Sequence, residues 1–495
     1  MSRRKVPPEF DHLASEEDIP WAAIMSVTKR NQKKTSFFEA FTNAAIEQAS
    51  KEIAKKRPKD ITIRLGVEAS LTRGRMAEAM LLSSSSKSVQ VLSLRAIAQF
   101  VMSDNEGLKE TLTAIEEASS KKPDPSDLIR LSTVKVLQAA AERDTNVIMC
   151  VMEFDNLLDT YPEQVEDPLS ETMFTLYVVG TLLYEVGQAK RAERIVDSLE
   201  DMAQAKKHRM FLALVENLRG NICNLVGEFE KAEEHYQKVK NTSEELSFSL
   251  GTAMALNNLG TLRLNSLRLE EALTYFTESF NLMEMDLGRA VSLANLGEIA
   301  TILGMYKDAE KYLREAVEIE DRIQKGFVEI YAWYAVLLAK IGNKRDALKY
   351  LEIAREIAEA TERPIRKGSY LYAKGIFEME NGKHERAVST FESLLKLAKD
   401  NSVFEMLVRV ELELARTFLQ IHKETKNPEH LSRAAYHLDD LSQIAKEQGL
   451  QHLYARTLLI RSDVLAVAGQ NLEAKGHLES AVSIATFVED SKLLD

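Results

Sequence analysis

Asn217, Asn221 and Asn224 fall at i, i+4 and i+7, the spacing that puts three side chains on one face of a helix. Asn257, Asn258, Thr261 and Asn265 crowd a similar stretch further along, and Asn295 with Glu298 follow in a third. A carboxamide offers a donor and an acceptor together, so it complements a peptide unit without reading that peptide's side chains. Asparagine is a mildly poor helix former, so stacking several needs a reason. Two reasons fit the residues equally: they line a groove for an extended ligand, or they bond neighbouring helices to one another.

The sequence holds no other constellation with comparable chemistry. GxxxxGK[ST], HExxH and GxSxG are absent, as is a GxGxxG following a strand. Nine histidines are scattered; His422, His430 and His437 come nearest to a cluster and read as solvated residues on a polar loop rather than metal ligands. Cys150 and Cys223 sit in apolar helical contexts and read as small core residues. Phe174, Tyr177 and Tyr184 share one helix and read as core packing. The expectation is a protein without catalytic residues, cofactor or metal.

The chain has 495 residues and a net charge of −12. Such an acidic surface repels phosphate, which argues against nucleic acid as a partner. The basic runs SRRK and KRNQKK (Lys29 to Lys34) do not reverse this, because residues 1–60 hold 12 Lys and Arg against 9 Asp and Glu. Two distant cysteines exclude a disulfide framework and fit a reducing compartment, here read as cytoplasmic. The first residues lack the apolar core of a secretory signal, and no apolar stretch is long enough to span a membrane.

What positions the asparagines is a recurring marker of small residues. A glycine is followed seven residues later by another and twelve residues later by an alanine, as in Gly220, Gly227 and Ala232, in Gly297, Gly304 and Ala309, and in Gly375, Gly382 and Ala387. The alanines stand at 192, 232, 272, 309, 347, 387, 434 and 474. A period near forty means stacked supersecondary units rather than one globular core. Apolar residues recur at three- and four-residue intervals, and no proline falls between Pro168 and Pro364. Each unit therefore reads as two antiparallel helices. The first glycine permits close helix approach, the second supplies a left-handed helix end, and the alanine faces the partner helix.

The segment SLANLGEIATILGMYKDAEKYLREAVEI, Ser292 to Ile319, closely resembles a tetratricopeptide repeat through Leu296-Gly297, Gly304, Tyr306, Ala309 and Ala316. Leu214 to Val239 resembles it as well, and eight copies are readable over roughly residues 172–486. The period departs from the family's standard of about 34, so the helices or turns are longer. Leu267 replaces the second glycine of the third copy, and Ala335 the first of the fifth. The resemblance implies an all-α, right-handed superhelical solenoid whose first helices line a concave groove. Asparagines directly before Leu-Gly, matched by Asn258 and Asn295, often hold a peptide backbone in that family. Asn217, Asn221, Asn224, Asn257, Thr261 and Glu298 are then further groove candidates. The basic residues of a carboxylate clamp are missing beside them. Arg409, Arg416 and Arg456 fall on groove-side positions and offer guanidinium groups to acidic partners, unless they are ordinary surface arginines.

The expected organisation is a flexible segment over 1–20, a helical region of degenerate repeats or a cap over 21–165, and the solenoid over 166–490. Gly66 with Gly74 and Ala79, Ala96 with Ser103 and Leu108, and Thr133 to Phe154 read as degenerate copies. Seven extra residues within HKETKNPEHLS predict a protruding loop near 421–431. The function expected is a non-catalytic scaffold or adaptor that binds a peptide or helix of another protein. The alternative is a sensor whose ligand controls an effector in the N-terminal third. Self-association through terminal repeats is a further class of contact.

Overall fold

A computed structural model describes residues 6–32, 35–119, 124–142, 146–161, 170–361 and 363–487. The run SRRK and residues Lys33 and Lys34 lie outside them. No strand occurs among the described residues, and none of their helices is long and apolar enough to cross a membrane.

The first described helices are α1 (Trp21–Asn31), α2 (Phe37–Ile53), α3 (Asp60–Thr72), α4 (Met76–Ser83), α5 (Val89–Met102), α6 (Asn105–Ser119), α7 (Pro125–Glu142) and α8 (Val147–Thr160). Eight pairs follow: α9 (Ser170–Glu185) with α10 (Ala189–Ala205), α11 (Arg209–Val226) with α12 (Phe229–Glu245), α13 (Ser249–Asn265) with α14 (Leu269–Leu282), and α15 (Asp286–Ile302) with α16 (Tyr306–Ile323). The last four are α17 (Val328–Lys340) with α18 (Lys344–Glu359), α19 (Pro364–Glu380) with α20 (His384–Asp400), α21 (Phe404–Thr425) with α22 (Pro428–Glu447), and α23 (Gln451–Val467) with α24 (Asn471–Phe487). The protein is an all-α solenoid of antiparallel helix pairs.

The marker acts as steric reasoning demands. A Cβ at Gly297, in mid-α15, would lie 2.3 Å from Leu313 on α16. Gly304 ends α15 at φ +72° with open space around it, so its conformation rather than its size matters. Leu267 takes the same left-handed role at φ 60° in the third copy. The marker alanines from Ala192 to Ala434 are fully buried.

The chain divides into two compact units, and the division falls inside the repeats rather than at residue 165. Unit 1 comprises residues 1–184, 188–219 and 235–255; unit 2 comprises 185–187, 220–234 and 256–495.

In unit 1, small and left-handed residues also stand at several of the positions singled out in the N-terminal third. Gly66 approaches Ala49 so closely that a Cβ would sit 2.2 Å from it, Gly74 is left-handed at φ +74°, and Ala79 is buried. Ser103 is left-handed at φ 65°, with Ala96 and Leu108 buried around it. The expected looseness of residues 1–20 does not hold for Pro8–Leu13, a short 3-10 helix whose Glu9, Phe10 and Leu13 are buried. Phe10 packs 5.4 Å from the Phe41 ring, Glu9 pairs with Arg209 at 2.8 Å, and His12 meets Glu68 at 2.9 Å. Two aromatic rings and two ion pairs outweigh the chain entropy that would free a terminus.

In unit 2, Leu264, Ala272, Phe276, Leu296 and Ile299 form a core shared by α13, α14 and α15. The loop expected near 421–431 is absent. The extra residues lengthen α21 to 22 residues and α22 to 20, leaving only Lys426 and Asn427 between them. Lys426 is left-handed at φ 58°, the Asn427 carboxamide accepts a hydrogen bond from the Glu429 amide, and Pro428 opens α22. This is an efficient stop and start, which outweighs the polar composition. His422, His430 and His437 are correspondingly not loop residues: His422 and His437 are buried, and the His430 and His437 rings stack on Phe418.

Candidate functional site

The first helices of unit 2 carry the predicted polar residues, and the structure ties most of them together. Asn258 on α13 donates its amide to Asn221 on α11 at 3.2 Å. Asn265 donates to Asn224 at 3.4 Å, and Asn295 on α15 donates to Asn257 at 3.0 Å. These carboxamides form rungs between successive first helices, which a helical spacing of one repeat makes geometrically natural. The rungs leave acceptors over: the Asn265 carbonyl oxygen is buried without a partner. Thr261 turns its hydroxyl back onto the Asn257 carbonyl of its own helix at 3.1 Å. Asn217 stands apart in unit 1, where it is buried and donates to the Tyr177 hydroxyl at 3.4 Å.

Two adjoining cavities in unit 2, of about 540 and 190 Å³, open beside these rungs. Thr261, Asn295 and Glu298 line the smaller one, and Asn265, Arg409, Arg416 and Arg456 the larger. Leu264, Trp333, Tyr372, Glu405 and Arg409 line both. The cavities thus bring the carboxamide group and the arginine group, read separately from the sequence, to one place.

Charge pairing sorts the arginines. Arg409 binds Glu298 at 2.5 Å and Glu405 at 2.7 Å, and its guanidinium lies 5.5 Å from the Trp333 ring centroid. It is therefore engaged within the protein. Arg416 bonds Glu413, one turn away on α21, at 3.0 Å. Arg456 on α23 is half-buried and makes no ion pair or hydrogen bond among the described residues. Burial pushes its pKa down and the neighbouring Arg416 charge adds to that, with Glu413 and Asp463 only partly compensating. Burial drives the Glu298 carboxyl up to about 7, Arg409 pulling it back and Glu405 pushing it further. Burial and the nearby Glu413 raise the Tyr372 phenol.

Trp333, Tyr372, Glu405 and Glu413 escaped the sequence reading. Trp333 lies on α17, a helix buried almost all round, where an aromatic residue looks like core. The signal available was the placement of Tyr372 and Trp333 on successive first helices, their rings 5.5 Å apart.

The tetratricopeptide repeat family matches residues 211–285, and a second match to it covers residues 290–322. The chain carries tetratricopeptide repeats. The two matched stretches include the rungs that Asn221, Asn224, Asn257, Asn258, Asn265 and Asn295 build between first helices of these repeats. Regulatory protein RapG of Bacillus subtilis (strain 168) is 22% identical over 237 residues, 47% of this chain. The match spans 62% of RapG, so this chain covers less than two thirds of that relative. Among solved structures, apo RapI superposes with a TM-score of 0.46 at 15% identity, over 72% of this chain and 98% of that one. A Rap protein complexed with competence and sporulation factor gives 0.45 at 14% identity, over 65% of this chain and 99% of that one. The anaphase-promoting-complex hetero-tetramer Cut9-Hcn1 gives 0.40 at 12% identity, with 96% of each chain covered.

No group of three or more His, Cys, Asp or Glu among the described residues is arranged to hold a metal ion. The cysteines Cys150 and Cys223 are half-buried.

Proposed function

We propose that the protein is a non-catalytic regulatory adaptor that binds a peptide segment of another protein in the first-helix groove of unit 2. The observation carrying this reading is the meeting of Thr261, Asn265 and Asn295 with Trp333, Tyr372 and the arginines around two adjoining cavities. Carboxamides and hydroxyls complement a peptide backbone, the aromatic rings supply apolar anchors, and the guanidinium groups favour acidic positions. Cavities of this size are large enough for a few side chains, which suits a short segment better than a folded surface. The similarity to a protein described as regulatory supports a signalling role over a purely architectural one.

The test is capture from source lysate by the wild-type protein and by the Thr261→Val/Asn295→Ala variant, after circular dichroism shows both equally helical. A protein retained by the wild type alone, and crosslinking through a photoreactive residue placed at Thr261, is the expected result. Identical captured sets from both forms overturn the reading.

A further inference from the structure

Helix α8 gives little of its surface to the core of unit 1. It packs on α7, and Phe154 is its one buried side chain. Ile148, Met149 and Met152 are 69, 61 and 59% exposed. Ile148, Met152, Asp155 and Asp159 fall at i, i+4, i+7 and i+11, so one face of the helix runs from apolar to acidic. At the acidic end a cavity of about 560 Å³ opens between α8, α9 and α10. Leu158, Ile195 and Met202 supply apolar wall, and Asp155, Asp159 and Asp201 line the same space.

We propose that this face of α8 and the adjoining cavity form a docking surface for a basic amphipathic helix of another protein. Apolar residues of that helix meet Ile148, Met149 and Met152, and an arginine or lysine enters the cavity beside the three aspartates. The surface lies in unit 1 and uses none of the residues of the groove in unit 2.

The aspartates make the case for a cationic occupant. Asp197 and Glu200, also on α10, are taken by Arg219 at 2.9 and 2.6 Å. Asp155, Asp159 and Asp201 make no ion pair or hydrogen bond among the described residues, although the chain holds 64 Lys and Arg. Asp155 and Asp159 stand one turn apart, a spacing at which like charges destabilise a helix. Burial and the Asp159 charge both push the Asp155 carboxyl up; Arg191 offsets this only in part, and its guanidinium bonds the Gln188 carboxamide. A long basic side chain relieves that repulsion while its methylene stem covers Leu158, Ile195 and Met202. The exposed methionines suit the apolar half, because their unbranched side chains adapt to a partner's surface. Ile148 and Asp155 are separated by about 10 Å along α8, which is two turns of a docked helix.

Other occupants fit less well. No group of three or more His, Cys, Asp or Glu among the described residues is arranged to hold a metal ion. A second copy of this chain brings a net charge of −12 against an acidic surface, and an anionic membrane is repelled by the same aspartates.

The test uses the full chain and a fluorescein-labelled synthetic helix with leucines and arginines on one face. Matched controls carry glutamate in place of arginine, or glutamine in place of leucine. Fluorescence anisotropy at constant ionic strength should show saturable binding of the first peptide and at least ten-fold weaker binding of each control. Asp155→Asn/Asp159→Asn should weaken the arginine peptide at least ten-fold and raise the thermal midpoint, because it removes a repulsion. Met152→Gln should weaken binding several-fold with the midpoint unchanged. Asp155→Lys/Asp159→Lys should reverse the preference, taking the glutamate peptide over the arginine one. Equal affinity for the arginine and glutamate peptides, no binding of either, wild-type affinity in the asparagine variant, or a lowered midpoint in that variant each overturn the proposal. So does a dimer in sedimentation that Met152→Gln dissociates, which would put a second copy on this face. Thr261→Val/Asn295→Ala should bind the arginine peptide as the wild type does; loss of binding there would place the helix in the groove and overturn the α8 surface alone.

Discussion

The Glu298 carboxylate and the Arg409 guanidinium meet at 2.5 Å across unit 2, joining α15 to α21 beside the Trp333 ring. Both residues were separate groove candidates in the sequence, and each proves to be the other's partner. Both residues line the smaller cavity together with that indole. The pair also concentrates a buried acid, a half-buried base and Glu405 in one cluster beside the cavities.

Glu298 titrates near 7 in the folded protein because burial disfavours its charge more than Arg409 favours it. In the unfolded chain the same carboxyl titrates near its ordinary value of 4.5. Between these values the folded state holds the proton and the unfolded state does not, so stability falls as pH rises through the window. The slope for this group is at most about 1.4 kcal/mol per pH unit. Glu298→Gln keeps an acceptor for Arg409 and removes the titration. Denaturant midpoints measured from pH 5 to 8 should decline for the wild type and flatten for the variant; parallel profiles would show that Glu298 is not the titrating group.

The local parts of the fold were legible and the long-range parts were not. Gly297, Gly304 and Ala309 announce a helix pair because each acts within one repeat, through a contact or a backbone angle that short spacing determines. The stretch from His422 to Asn427 was misread because its polar composition resembles a loop. Only a left-handed Lys426 and a capping Asn427 are needed to turn the chain there, and the rest extends α21. The ion pair between Glu298 and Arg409 depends on how successive repeats curve past one another, and no single repeat encodes that. Trp333 and Tyr372 were hidden for a different reason: in helices buried on several sides, apolar periodicity no longer tells groove from core.

Two glycines of one repeat should respond to alanine by different mechanisms. At Gly297 the new methyl group meets Leu313 at 2.3 Å, so α15 and α16 must separate or Leu313 must leave its place. Overpacking of this kind costs about 1–3 kcal/mol. At Gly304 nothing lies within reach, and only the left-handed angle of +72° resists the substitution. That costs about 1 kcal/mol. Hydrogen exchange should show Gly297→Ala loosening α15 and α16 along their length and Gly304→Ala loosening the turn alone. Indistinguishable patterns would mean that helix separation is not what the first glycine controls.

The N-terminal segment of unit 1 should be released by acid or by mutation of its anchor. Burial opposes the Glu68 charge, but His12 and Arg64 outweigh it and hold the carboxyl at about 2. His208 is lowered as well, by burial, to about 3 although Glu68 attracts a proton to it. Unfolded, these groups titrate near 4.5 and 6.5. The His208 contribution is therefore present above pH 6.5 and shrinks as pH falls toward 3, and the Glu68 contribution is lost between 4.5 and 2. Glu68→Gln should speed proteolytic cleavage within residues 7–20 several-fold at neutral pH without changing helix content. Cleavage at the wild-type rate would mean that Phe10 and the Glu9–Arg209 pair suffice to hold the segment.

The carboxamide rungs make a thermodynamic claim that is separable from ligand binding. Asn295 donates to Asn257 at 3.0 Å between α15 and α13, and both side chains are half-exposed. Water can replace either partner, so each alanine substitution should cost only about 0.5–1.5 kcal/mol. Once one carboxamide is gone the other has little left to lose, and the double variant should fall short of the summed single costs by roughly 0.5 kcal/mol or more. A cycle of urea denaturation over wild type, Asn257→Ala, Asn295→Ala and the double variant measures that shortfall. Strict additivity would mean that the rung contributes nothing to the stack. The asparagines would then owe their place on adjacent first helices to what enters the groove.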